Sequence, residues 1–176
     1  MRIHIKPALA ALVMSSLLLI PSAQATTVPS SQGSLTHQET DVSSLQLSEQ
    51  QQILVKMAET QLNVPYVWGK QEPFVGFDCS NFVAWVYRAA LGIDFSGSSV
   101  WQRNNAGTPV STSDLQVGDL LFFKTANEPN GSGHVGIYIG NGDVIQEGGG
   151  WKKVTIEPLK GTWLGKNLVF ARRILK

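Results

Sequence analysis

Phe77-Asp78-Cys79-Ser80-Asn81-Phe82-Val83-Ala84-Trp85-Val86-Tyr87 is the stretch that decides the fold. Before it, residues 63–78 are punctuated by Pro65, Gly69, Pro73 and Gly76, the chemistry of a loop. After it the apolar residues recur at helical spacing, with Phe82, Val83, Val86, Ala89 and Ala90 on one face and Gly92 as the stop. Asp78 is placed to cap this helix, and Cys79, the only cysteine of the chain, falls at its start. Unpaired N–H groups and the helix dipole at such a position favour the thiolate form. Two readings follow: a nucleophile, or a buried structural cysteine, the common fate of a free thiol.

The ends of the chain bear on that choice. Arg2 and Lys6 precede an apolar run from Ala8 to Ile20, and Ala23-Gln24-Ala25 has the small-x-small pattern of a cleavage site. Residues 1–25 therefore read as a secretory signal peptide. The apolar run is short of the roughly 20 residues that span a bilayer, so no stable membrane anchor is expected after cleavage. With no cysteine near the cleavage site, lipidation there is excluded. A secreted or periplasmic location is expected. Of the 14 basic residues the signal carries Arg2 and Lys6, while all 13 acidic residues lie beyond it, so the mature charge is −1. Near neutrality gives no reason to expect a nucleic-acid partner. Exported domains of this size commonly pair their cysteines; a lone one is an intermolecular link or a reactive thiol.

Residues 26–47, rich in Thr, Ser and Gln, read as a flexible tether. Ser48 with Gln51 makes a capping box, and Ile53, Leu54, Met57, Ala58 and Leu62 form an apolar helical face ended by Asn63 and Pro65. Ser96-Gly97-Ser98-Ser99 is expected to open a short helix that ends near Ala106-Gly107. From Gly118 the pattern becomes β, with strands expected at 119–123, 134–139, 144–147, 154–158 and 168–172. Helices followed by an antiparallel sheet of about five strands is an α+β order, and residues 48–176 make one domain.

A thiol nucleophile needs a base. His4 lies in the signal and His37 in the tether, which leaves His134, at the start of a strand. One Cys and one His do not make a structural zinc site. The base needs an orienting partner, and the strand returning after Asn141-Gly142 offers Gln146 and Glu147. A two-residue turn puts Glu147 on the face of His134; a three-residue loop puts Gln146 there. One residue of register exchanges them.

Pro65-Tyr66-Val67-Trp68-Gly69, Gly76 to Ser80, Gly118 to Phe123 and Gly133 to Gly142, in this order, resemble the NlpC/P60 family of cell-wall cysteine peptidases. The resemblance implies a papain-like α+β fold with the nucleophile helix packed on an antiparallel sheet. It implies Cys79 as nucleophile, His134 as base and Gln146 as third member, which favours a three-residue or bulged hairpin. It further implies that Tyr66, Asp78 and Ser80 line the site and hold the free amino end of a stem peptide. The implied activity is hydrolysis of peptidoglycan stem peptides between D-γ-glutamyl and the diamino acid, without metal or organic cofactor. A related Cys-His amidase or acyltransferase, and a non-catalytic wall-binding module, are the alternatives. Three positions depart from the family pattern: Asn81 and Gly97, where Gly and often Arg stand in relatives, and Lys70, where a second Gly follows the Trp.

Overall fold

The computed structural model describes residues 47–131, 133–148 and 150–176. The expected signal peptide, residues 1–25, and all of the expected tether but Leu47 lie outside them.

Helix α1 (Glu49–Glu59) begins with the capping box: the Ser48 side chain accepts from the Gln51 N–H, and the Gln51 side chain from Ser48 N–H. It buries only Leu54 and Ala58, whereas Ile53 and Leu62 stay exposed. Strands β1 (Gln71–Glu72) and β2 (Gly76–Phe77) form a two-residue ladder inside the stretch expected to be loop. Residues 63–67 are also held by backbone bonds on two sides. Asn63 and Tyr66 donate to Val154 and Lys152, and Val67 donates to Phe77.

Helix α2 (Cys79–Leu91) is capped by Asp78, whose side chain accepts from Asn81 N–H, and it stops at Gly92 in the left-handed region, φ 67°. Only glycine adopts that region without steric cost. Its buried face is Phe82, Val83, Val86 and Tyr87; Ala89, expected inside, is exposed, and the Tyr87 hydroxyl instead reaches Gly118 O. Each fully buried side chain of this size contributes about 1.5–3 kcal/mol.

The main sheet contains β3 (Thr108–Val110), β4 (Leu120–Phe123), β5 (His134–Gly140), β6 (Asp143–Gly148), β7 (Lys153–Pro158) and β8 (Leu168–Arg173). It is antiparallel, in the order β3-β8-β4-β5-β6-β7. Among the described residues the sheet has six strands where about five were expected. The missed one, β3, is three residues long with Pro109 at its centre. Proline cannot donate to a ladder, so the segment lacks a strand signature and sits at the edge, paired only with β8.

Strand β4 explains the sheet's layers. Its four residues are all buried, because both faces are covered. Leu120 and Phe122 pack with the α2 residues on one side; Leu121 and Phe123 pack with Leu164 of α4 (Trp163–Asn167) on the other. Helix α3 (Ser99–Asn105) is tied to the start of α2 by Gln102, fully buried, whose Nε2 donates to Ser80 O and Ser96 O at 2.8 Å each.

The β5–β6 hairpin combines the two registers left open by the sequence. Asn141 and Gly142 both have positive φ, 54° and 85°, as a two-residue type I′ turn requires, and Gly140 pairs with Asp143. The ladder then skips Ile139: Tyr138 pairs with Val144 and Gly136 with Gln146. The bulge adds one residue to β5 only, and Gln146, not Glu147, shares the face of His134.

Candidate active site

Cys79 sits at the first turn of α2, His134 at the first residue of β5, and both line one cavity of about 370 Å³. Both are nearly buried. The Cys79 sulfur is approached by the backbone N–H groups of Val135 and Ser80 and by the Ser80 hydroxyl, all of which favour the thiolate. Burial works against them and is larger; with the neighbouring Asp78 charge it pushes the thiol up to about 11. The helix start alone suggests the opposite direction; what it omits is the desolvation of a packed site.

His134 Nε2 lies 2.9 Å from Gln146 Oε1. An amide oxygen only accepts, so the imidazole carries its proton on Nε2 and leaves Nδ1 as the basic nitrogen. Three rings surround it: Phe123 at 5.6 Å, Trp151 stacked at 6.4 Å and Trp163 edge-on at 6.3 Å. Burial among them drives the imidazole down to about 4, against a smaller upward pull from Gln146. The pair at neutral pH is therefore thiol and neutral imidazole.

The expected substrate groups converge on the same place. Asp78 accepts from Gly69 N–H at 2.9 Å, Asn81 N–H at 2.9 Å, Asn81 Nδ2 at 2.8 Å and Ser80 Oγ at 3.2 Å. A carboxylate has about four acceptor sites, so these donors occupy it fully. Tyr66 lines the cavity with Cys79; burial first, then the charges of Cys79, Asp78 and Glu147, raises its phenol. Ser80 lines a second cavity of about 330 Å³ with Asp78 and Glu128, and Cys79 lines both.

Two residues of the site had no sequence signal of their own. Gln102 holds the Ser80 carbonyl, a long-range contact that no local pattern encodes. Trp163 stands in α4, a five-residue helix too short for a periodic pattern. Two departures prove to be one arrangement. A Cβ at Gly97 would lie 2.1 Å from Asn81 Oδ1, so the Asn81 side chain fills the space that a residue larger than glycine would need. The remaining surprise is Glu147, fully buried on the α2 face with neither carboxylate oxygen hydrogen-bonded. Burial, then Asp78, raises it to about 8.

The family model described as NlpC/P60 family matches residues 63–173. The chain belongs to the NlpC/P60 family. It is 33% identical over 117 residues to Murein DD-endopeptidase MepH of Escherichia coli, covering 65% of this chain and 42% of that protein. It is 36% identical over 120 residues to Gamma-DL-glutamyl hydrolase of Bacillus subtilis, covering 68% of this chain and 28% of that one. The chain thus spans less than half the length of these curated relatives. The structure of the peptidoglycan hydrolase RipB from Mycobacterium tuberculosis superposes with a TM-score of 0.61 at 30% identity, over 72% of this chain and 65% of that one. The α+β fold of helices on an antiparallel sheet is that of the family. Among the described residues no helix is long and apolar enough to cross a membrane.

Proposed function

We propose that this chain is an exported peptidoglycan hydrolase, a cysteine endopeptidase that cleaves stem peptides at the bond between D-γ-glutamyl and the diamino acid. The observation that carries the reading is the shared cavity of Cys79 and His134, with His134 oriented by Gln146. The names of the relatives support the coarser reading of a peptidoglycan hydrolase; on the bond they differ, one being a DD-endopeptidase and another a gamma-DL-glutamyl hydrolase.

The chemistry follows from the protonation states. A thiol near 11 beside an imidazole near 4 does not rest as an ion pair. Nδ1 of His134 takes the Sγ proton as sulfur attacks the scissile carbonyl, so proton transfer accompanies attack. The Cys79 N–H, at the helix start, donates to the developing oxyanion. The imidazolium then protonates the departing amine and releases the first product. Water, deprotonated by the same nitrogen, hydrolyses the thioester and restores the thiol. Gln146 fixes the ring and its tautomer without bringing a charge.

Export rests on reading residues 1–25 as a cleaved signal peptide, which would bring the domain to the side of the membrane where its substrate lies. The test is incubation of residues 26–176 with purified stem peptides, followed by mass spectrometry of the products. Cleavage at the γ-glutamyl bond that is absent with Cys79→Ala is the expected result. Equal cleavage by the Cys79→Ala protein would refute the mechanism, and cleavage at a different amide would refute the assigned bond.

A further inference from the structure

Cys79 stands between two cavities of different chemistry. On one side are Asp78, Ser80 and Glu128, with two carboxylates and no cationic side chain among the lining residues. On the other are Tyr66, Trp151 and Trp163, with no carboxylate and no Lys or Arg, and Trp68 stands at the edge of both cavities. His134 lines the aromatic cavity and not the acidic one. That asymmetry orients a substrate. The imidazole that takes the thiol proton must hand it to the departing nitrogen, so the amine-bearing half lies on the aromatic side. The acyl half lies on the acidic side.

The wall of the aromatic cavity then says what the departing half carries. Trp151 and Trp163 meet edge to face at 6.3 Å, and their rings stand around His134. Trp163 is 42% exposed and Trp68 83% exposed, so indole surface remains open at the rim. Ring faces carry negative quadrupole density and attract a cation, most strongly for tryptophan. They repel a carboxylate at their faces, and the lining offers it only neutral donors such as Thr125 and Tyr66, with no Lys or Arg to pair with it. Resting on the endopeptidase reading above, we infer that the aromatic cavity is the subsite for the residue whose amine departs. It takes an unbranched side chain ending in an ammonium group, as in lysine, in preference to one ending in ammonium plus carboxylate, as in diaminopimelate.

The test uses three tetrapeptides, L-Ala-γ-D-Glu-X-D-Ala, with X as L-lysine, norleucine or meso-diaminopimelate, and measures kcat/KM by chromatography of the products. A half-exposed cation–π contact predicts lysine over norleucine by roughly 3- to 30-fold, and diaminopimelate below lysine. In Trp151→Leu and Trp163→Leu the lysine advantage over norleucine should fall to about twofold or less, with circular dichroism confirming that each variant is folded. Diaminopimelate cleaved as fast as lysine, or a lysine preference unchanged in both variants, overturns the assignment. If none of the peptides is cleaved, the endopeptidase reading fails instead, and the subsite is judged by binding. Lysyl-D-alanine and norleucyl-D-alanine are then titrated into the Cys79→Ala protein while the indole N–H signals of Trp151 and Trp163 are followed by NMR. Shifts that saturate at lower lysyl-D-alanine concentration support the subsite. Equal or absent shifts overturn it.

Discussion

Glu147→Gln should make the protein's stability less sensitive to pH, and the sign follows from the site. Glu147 is fully buried, neither oxygen has a partner, and the titratable groups that face it are the Asp78 carboxylate and the neutral phenol of Tyr66. Its folded value, about 8, lies above the ordinary 4.5, so between those values the folded chain holds a proton that the unfolded chain has released. Stability is then fully present below 4.5 and is lost progressively as pH rises through about 8. A full shift of that size corresponds to an upper limit of ~5 kcal/mol, and relaxation around the charge brings the expected loss to roughly 2–3 kcal/mol. Glutamine keeps the shape and cannot ionise. Its amide adds a pH-independent cost of about 1–3 kcal/mol for buried donors without partners, so only the slope is diagnostic. Calorimetric melting of both proteins from about pH 5 to about pH 9 should show the parent losing roughly 10 °C relative to the variant. Other groups titrate in this range, but they titrate in both proteins and cancel in the difference. Parallel curves would mean that Glu147 is ionised, with a counter-charge or water, at all these pH values, and would refute the reasoning.

Three further outcomes follow. Gln146→Ala removes the hydrogen bond that orients His134 and should lower kcat by roughly 5- to 30-fold with little change in KM, whereas Glu147→Ala should not lower it comparably; steady-state kinetics on one stem peptide decide between them. With the imidazole at about 4 and the thiol at about 11, kcat/KM should be level across neutral pH and fall on the acid side only as His134 gains a proton near 4; a fall centred near its ordinary 6.5 would contradict the buried, neutral base. Gly97→Ala should destabilise by about 1–3 kcal/mol through its clash with Asn81. The same change should cost at least about 1 kcal/mol less in an Asn81→Ala background, a coupling that a double-mutant cycle of denaturant unfolding measures.

The parts of the fold legible in the sequence are those set by local chemistry. Ser48 with Gln51, Asp78 before α2 and Gly92 after it mark helix ends within a few residues, and each cap is present. The five expected strands exist because their apolar runs are long enough to show a β pattern. Strand β3 and helix α4 did not show, since three and five residues carry no period and both depend on neighbours distant in the chain. Burial was legible less well than element type: Ala89 was expected inside and is outside, because helical spacing gives a face but not its centre. In the site, Cys79 stands out as the only cysteine, and His134 is the histidine left once His4 and His37 are set aside. Their protonation was not, because desolvation depends on the packing of Trp151, Trp163 and Phe123 around them. Asn81 and Gly97 looked like separate departures since they stand 16 positions apart in the chain, and only the packing joins them.

The bulge at Ile139 turns the length of a strand into a choice of chemistry. Gln146 and Glu147 are chain neighbours, yet the sheet separates them like two sides of a wall. One addresses the ring of His134; the other points toward the buried start of α2. Which of them does which is set by the parity of the residues between Gly136 and the turn, not by either residue's identity. In this hairpin, gaining or losing one residue would exchange a neutral partner for an acidic one at the base, with no substitution at either position.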